Sequence, residues 1–270
     1  MQDTNSWVDF EKDSYRIHAL APFKRFRGLE APWDSIDALE EDADYVAKAT
    51  RSRTVIKLAA GQYGLPVEVY VKRYHLRTWF RVLLRTARKT RAREEFDLGW
   101  QLMGKGVNTP RPVWLAEGQG LAIPYSLLAT ESLPGAESAA DRWLRCDNER
   151  TQHELLWALG QFTARLHDVG FYHDDYRAHH LLVFPDRPSL PKELYLIDLL
   201  GGSFPKLLSR FARAKNLYQM IRSFNPKHCS FGFTEAHRNE FLLAYAGSAM
   251  EATKWLRRIQ RVGKRKGRVL

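Results

Sequence analysis

Tyr172-His-Asp-Asp-Tyr-Arg-Ala-His-His-Leu-Leu-Val183, then a loop, then Leu194-Tyr-Leu-Ile-Asp198: this stretch decides the fold. A charged segment runs into a short apolar strand, Leu181 to Val183, and a turn from Pro185 to Pro191 separates it from a second apolar run closed by one aspartate. Two short β-type runs around a turn-rich stretch predict a hairpin, which carries Asp198 back beside the charged segment. A carboxylate ending a buried strand is costly unless a cation meets it, so Asp198 is a candidate metal ligand.

The spacing sharpens this. In the catalytic loop of protein kinases an Asp lies two residues after a His and five before an Asn, and His173, Asp175 and His180 keep those offsets with His in the last place. Transfer of a γ-phosphoryl group needs one carboxylate to accept the proton of the acceptor hydroxyl and another to hold Mg²⁺, a hard cation that prefers oxygen. Asp175 and Asp198 supply one each.

Such an enzyme needs an upstream half. Val67-Glu-Val-Tyr-Val-Lys-Arg-Tyr74 alternates as a strand with Lys72 near its end, after a Gly61-Gln-Tyr-Gly64 turn and a strand-like run from Thr54 to Leu58. This is similar to the antiparallel sheet of a kinase amino-terminal lobe, whose third strand carries a lysine to the α and β phosphates, paired with a glutamate of the next helix. Glu94 and Glu95 open a helical pattern through Phe96, Leu98, Trp100, Leu102 and Met103 that ends near Gly104, and either can face Lys72. No glycine-rich phosphate loop is present. The first turn reads Thr50-Arg-Ser-Arg-Thr54, so backbone amides with Ser52 or the arginines would touch the phosphates.

Together, Val71-Lys72, Arg93-Glu-Glu95, Gly106-Val-Asn-Thr-Pro-Arg-Pro112, Ala129-Thr-Glu-Ser-Leu133, Leu166-His167, the 172–182 stretch and Ile197-Asp198-Leu199 resemble the bacterial lipopolysaccharide kinases, the core heptose and Kdo kinases. That family also has His where protein kinases have Asn, as at His180. The resemblance runs from about Tyr45 to Tyr245, with Phe241-Leu-Leu-Ala-Tyr245 similar to the family's last helix.

The resemblance implies an α+β, bilobal protein-kinase-like fold, with a small antiparallel β lobe carrying one helix and a larger, mainly helical lobe. It implies ATP and Mg²⁺ as cofactors and a heptose or Kdo hydroxyl of the lipid A core glycolipid as acceptor. Carried over by position, Lys72 and Glu95 form the ion pair, and Asp175 is the base, with Arg177 a further candidate catalytic residue. His180 and Asp198 lie near the metal, and Glu131 begins the hinge that receives adenine through backbone groups. Three departures stand out. Asp174 replaces the usual Arg before the catalytic Asp, so no activation-loop phosphate needs an arginine partner. Asn216 stands where an Asp would brace the loop, which leaves open what holds it. Leu199-Leu-Gly-Gly202 replaces the Phe-Gly of protein kinases.

Composition agrees. A chain of 270 residues with 44% hydrophobic content can bury a sizeable core. Cys146 and Cys229 suit a reducing compartment and their spacing suggests no metal site. No apolar run approaches the ~20 residues of a membrane crossing, so the expected location is cytoplasmic. The 42 Lys and Arg against 31 Asp and Glu give a net charge of +11, concentrated in Arg73–Arg93 and Lys254–Arg268. Trp255, Leu256, Ile259 and Val262 recur at helical spacing among these last cations, which suits a helix lying on an anionic membrane surface, at the inner face of the inner membrane, or one docked on its own lobe. Nucleic acid is the less favoured partner.

The expected domains are an aromatic extension over 1–44 packing on the small lobe, the small lobe over 45–130, the large lobe over 131–253, and a basic tail over 254–270. Glu154 to His167 is the clearest helix, with Leu155, Leu159, Phe162 and Leu166 on one stripe and Gly170 beyond its end. Two other readings are a kinase of this fold acting on a small molecule or a protein, and a pseudokinase or basic binding module. Retention of Lys72, Asp175 and Asp198 opposes the last.

Overall fold

A computed structural model describes residues 6–30, 48–50, 53–75, 89–118, 125–146, 148–185, 193–224 and 233–265. The chain forms two compact units, Met1–Gln101 with Pro110–Leu133, and Leu102–Thr109 with Pro134–Leu270. The class is α+β, as the sequence predicts.

The first unit is built on an antiparallel sheet. Its strands are β1 (Trp7–Lys12), β2 (Tyr15–Leu20), β3 (Lys48–Thr50), β4 (Arg53–Leu58), β5 (Val69–His75), β6 (Pro112–Gly118) and β7 (Tyr125–Glu131), in the order β1-β2-β6-β7-β5-β4-β3. Alternation dictates its faces: Thr54, Ile56 and Leu58 of β4 are buried with Val69 and Val71 of β5, and the intervening residues are less so. The described part of residues 1–44 packs on the lobe, with Phe23 and Phe26 buried in its core, but it is more than an extension, because it contributes two strands to the sheet itself. Asp13 and Ser14, both at positive φ, make the two-residue turn whose twist suits a hairpin, and β2 then pairs with β6.

Helix α1 (Arg91–Gly104) starts where the Thr90 hydroxyl accepts the N–H of Arg93. Thr90 and Arg93 both bond the Glu117 carboxylate on β6, and Trp7 of β1 meets the rings of Phe96 and Trp100 edge-on. The helix is therefore fixed to the sheet at two places, which sets the direction of Glu95.

The second unit holds α2 (Ala139–Arg145), α3 (Glu149–Asp168), α4 (Arg210–Ser223), α5 (Glu235–Ala246) and α6 (Ala249–Arg265). The α3 stripe of Leu155, Leu159, Phe162 and Leu166 is buried, mainly against α5. Short strands carry the charged segment: β9 (Tyr172–His173) pairs with β12 (Gly202–Ser203), and β10 (Leu181–Val183) with β11 (Tyr195–Leu196) and β8 (Glu137–Ser138). The apolar stripe of α6 is committed. Ile259 and Val262 are buried where the helix packs on α4 and α5, and Trp255 meets Tyr245 edge-on. This corrects the expectation of a tail laid by that stripe on a membrane: an amphipathic period fixes which face is apolar, not what covers it. Residues 266–270 of that tail lie outside the described residues. Among the described residues, no helix is long and apolar enough to cross a membrane.

Candidate active site

In the first unit, β5 lies between β4 and β7, so its side chains are held on both sides by ladder pairing. Lys72 and Tyr74, two residues apart, share one face. Both reach Glu95 of α1. Lys72 Nζ lies 2.5 Å from Glu95 Oε1, and the Tyr74 hydroxyl donates to Oε2. Glu95 is 3% exposed whereas Glu94 faces solvent, so the geometry selects between the two. A carboxylate this buried persists only with both oxygens answered. Tyr74 escaped the sequence reading, although its i+2 relation to Lys72 was the signal.

This contact makes a prediction. Lys72→Ala and Glu95→Ala should each lower kcat/KM by a similar factor, and the double variant should lose scarcely more than either, because the pair acts as a unit. Strictly additive losses would rule out the coupling.

In the second unit the hairpin of β10 and β11 returns Asp198 to the charged segment. His173, 1% exposed, joins the two: its Nδ1 accepts the Asp175 N–H at 3.1 Å, and its Nε2–H donates to the Asp198 carbonyl at 2.8 Å. His180 Nδ1 lies 2.9 Å from the Asp175 carbonyl oxygen, which can only accept, so Nδ1 carries the proton. The Nε2 lone pair then faces Asp198 Oδ2 at 3.8 Å. Burial, partly opposed by Asp198, lowers the His180 pKa and favours the neutral ring. A lone pair and a carboxylate converging in this way are groups that could hold a cation between them. Asp198 itself adopts a left-handed conformation, φ 57°, that presents its side chain there. Arg177 Nε holds Asp175 Oδ1 at 2.5 Å.

The loop is clasped by one face of α4. Lys215 bonds the Asp174 carboxylate at 3.2 Å, Gln219 donates to the Asp174 carbonyl, and the Ser223 hydroxyl accepts the Ala178 N–H. Asn216, fully buried, donates to the His173 carbonyl at 2.5 Å and accepts the His173 N–H at 3.3 Å. The amide thus braces the loop where an aspartate was expected, and it satisfies both a donor and an acceptor without burying a charge. Asp174, in the place of an arginine, meets a lysine. Burial opposes ionisation of its carboxyl, but hydrogen bonds from Lys215 and Tyr172 outweigh this and hold it below the usual range. Gly201, at φ 88°, accepts the Asp174 N–H, and a side chain on Gly202 would strike the Phe171 ring at 2.4 Å. The Gly-Gly pair is what lets β12 lie against β9.

Behind Asn216 sits His167, wholly buried, with Nε2 3.4 Å from Asn216 Oδ1 and Nδ1 2.9 Å from the Tyr245 hydroxyl. Burial pushes its pKa down to about 3. The unfolded chain therefore binds a proton that the folded chain refuses. Stability from this site is complete above the ordinary histidine pKa and declines as pH falls from about 6.5 toward 3. Between pH 6.5 and 5 the loss should be roughly 2 kcal/mol, and His167→Gln should flatten that part of a urea-unfolding profile. An unchanged slope in the variant would show that other groups set it.

Glu131 ends β7 with its N–H already donated to the Arg111 carbonyl, so that N–H is engaged within the first unit. Ser52 lies outside the described residues. Lys215, Gln219 and His167 were missed as supports of the loop, since their partners are known only once α4 is placed. Among the described residues, no cluster of three or more His, Cys, Asp or Glu could hold a metal ion.

Residues 37–245 match the lipopolysaccharide kinase (Kdo/WaaP) family. The chain is 28% identical over 160 residues to a 3-deoxy-D-manno-octulosonic acid kinase of Haemophilus influenzae, covering 58% of this chain and 64% of that protein. To the protein of that name from Photobacterium profundum it is 33% identical over 140 residues, covering 50% and 53%. The chain thus spans between about half and just under two thirds of the curated relatives it matches. A solved structure of WaaP in complex with acyl carrier protein superposes with a TM-score of 0.57 at 18% identity, covering 89% of this chain and 97% of that one, which is a likeness of fold.

Proposed function

Because this chain belongs to the lipopolysaccharide kinase (Kdo/WaaP) family, we propose that it transfers the γ-phosphoryl group of ATP to a heptose or Kdo hydroxyl of the lipid A core. The observation that carries this reading is the convergence of the His180 Nε2 lone pair on the Asp198 carboxylate, beside Asp175, on a loop braced by α4.

The donors fit a cation that keeps most of its coordination for substrate. Asp198 offers the hard oxygen that Mg²⁺ prefers and His180 one nitrogen, so phosphate oxygens and water would complete the set. Bound there, Mg²⁺ would neutralise charge on the phosphates. Lys72, held by Glu95, supplies a fixed positive charge for the α and β phosphates. Asp175 takes the proton of the sugar hydroxyl. Its Oδ1 is engaged by Arg177, so Oδ2 would be the oxygen for that task. His180 holds the Asp175 backbone and His173 ties that residue to Asp198, so base and metal ligand keep one spacing.

On this reading the acceptor is anchored in a membrane while ATP is cytoplasmic, so the enzyme works peripherally at the inner face of the inner membrane. The test is incubation with labelled ATP, Mg²⁺ and lipid A core fragments ending in Kdo or heptose, with the phosphorylated sugar identified by mass spectrometry. ATP hydrolysis without label on any sugar would overturn the proposal.

A further inference from the structure

Two large apolar side chains stand in water at the entry to α4: Leu207 is 84% exposed and Phe211 51%. A third, Met250 of α6, is 67% exposed. Single exposed apolar residues need no explanation, but these lie among cations. Lys206 and Arg210 flank the first two, and the Arg265 guanidinium at the end of α6 sits 5.3 Å above the Phe211 ring. The helical period places Lys254, Arg257, Arg258, Arg261, Lys264 and Arg265 with Met250 in one arc of roughly 120°, opposite buried Ile259. Glu251 is the one acid of that helix. The apolar stripe of α6 faces the protein, and its basic face is turned outward.

We propose that residues 206–211 and the outward face of α6 form a docking surface for an anionic lipid bilayer. Cations at headgroup level with short apolar tips reaching the acyl boundary are what such a surface accommodates. A nucleic acid would answer the charges but leave Leu207 and Met250 unsatisfied. The segment 199–209 follows directly from Asp198 and is anchored by β12 and by Phe204, whose ring meets Phe171 at 5.1 Å. Docking there brings the membrane to the segment that carries the metal ligand. The proposal rests on the glycolipid reading above for its purpose, and its test requires no turnover.

The test is flotation of the full chain with vesicles of phosphatidylglycerol and phosphatidylethanolamine, or of phosphatidylcholine alone. The chain should prefer the anionic vesicles, and salt should weaken the binding. Leu207→Ser with Phe211→Ser should lower binding roughly tenfold, and Arg257→Ser with Arg261→Ser by roughly fivefold for each cation removed. In all these variants turnover of a soluble sugar fragment should stay within about twofold. Equal binding to both vesicle types, or variants that bind as the unaltered chain does, would overturn the surface. So would self-association that the Leu207→Ser, Phe211→Ser variant abolishes, with no vesicle binding, because a second copy would then be the occupant. Anionic-vesicle binding that the variants weaken, in a chain that phosphorylates no sugar, would support the surface and sink the kinase reading alone.

Discussion

An Asp198→Asn variant should lose Mg²⁺-dependent phosphoryl transfer altogether while folding as before. The substitution isolates charge from shape. Asp198 sits at φ 57°, a left-handed conformation that asparagine tolerates better than most residues, so the backbone has no cause to move. The carbonyl that accepts from His173 Nε2 is unchanged as well. What disappears is the carboxylate that faces the His180 lone pair, and an amide oxygen beside a neutral imidazole gives a hard dication little reason to bind. Turnover, Mg-ATP binding by calorimetry and the thermal unfolding midpoint are the measurements. Retained turnover with an unshifted metal dependence would remove Asp198 from the metal site.

Asp175→Asn should behave differently, lowering the rate by ~10²-fold or more, the usual scale for a positioned base, while Mg-ATP binding stays near normal. Apart from its exposed pair with Arg177, the side chain takes no part in the bonds that fix the loop. Those run through its backbone, N–H to His173 and carbonyl from His180, and survive the change. Asp174→Asn is the control. That carboxylate is tied to Lys215 and Tyr172, so its loss weakens one exposed ion pair, worth about 0–1 kcal/mol, and one tyrosine hydrogen bond, and leaves the chemistry intact. Should Asp174→Asn be the inactive variant and Asp175→Asn the active one, the base lies one residue earlier.

Local pattern carried much of the fold and of the candidate site. The alternation of Val69 to Tyr74, the stripe of α3 and the two apolar runs around Pro185–Pro191 each state their element within a dozen or so residues, because period and turn chemistry are local properties. Asp175, His180 and Asp198 were readable for a related reason: a catalytic loop and the hairpin after it are nearly contiguous, so spacing in sequence is almost spacing in space.

The rest depended on partners distant in the chain. Nothing in Tyr15–Leu20 says that its edge pairs with β6, some hundred residues on, because strand edges present the same N–H and C=O groups to every partner. Glu94 and Glu95 are alike as letters, and only the fixing of α1 through Glu117 and Trp7 turns Glu95 to Lys72. Asn216 looked like a weakened brace, but with α4 in place it is a satisfied one. The stripe of α6 was equally apolar under either reading of the tail. The sequence by itself determined most of the elements and the residue types that the candidate site offers, since both follow from composition and period. Tertiary structure decided which apolar face is covered, which strands are neighbours and which charges meet, because those depend on surfaces that the folded chain alone brings together.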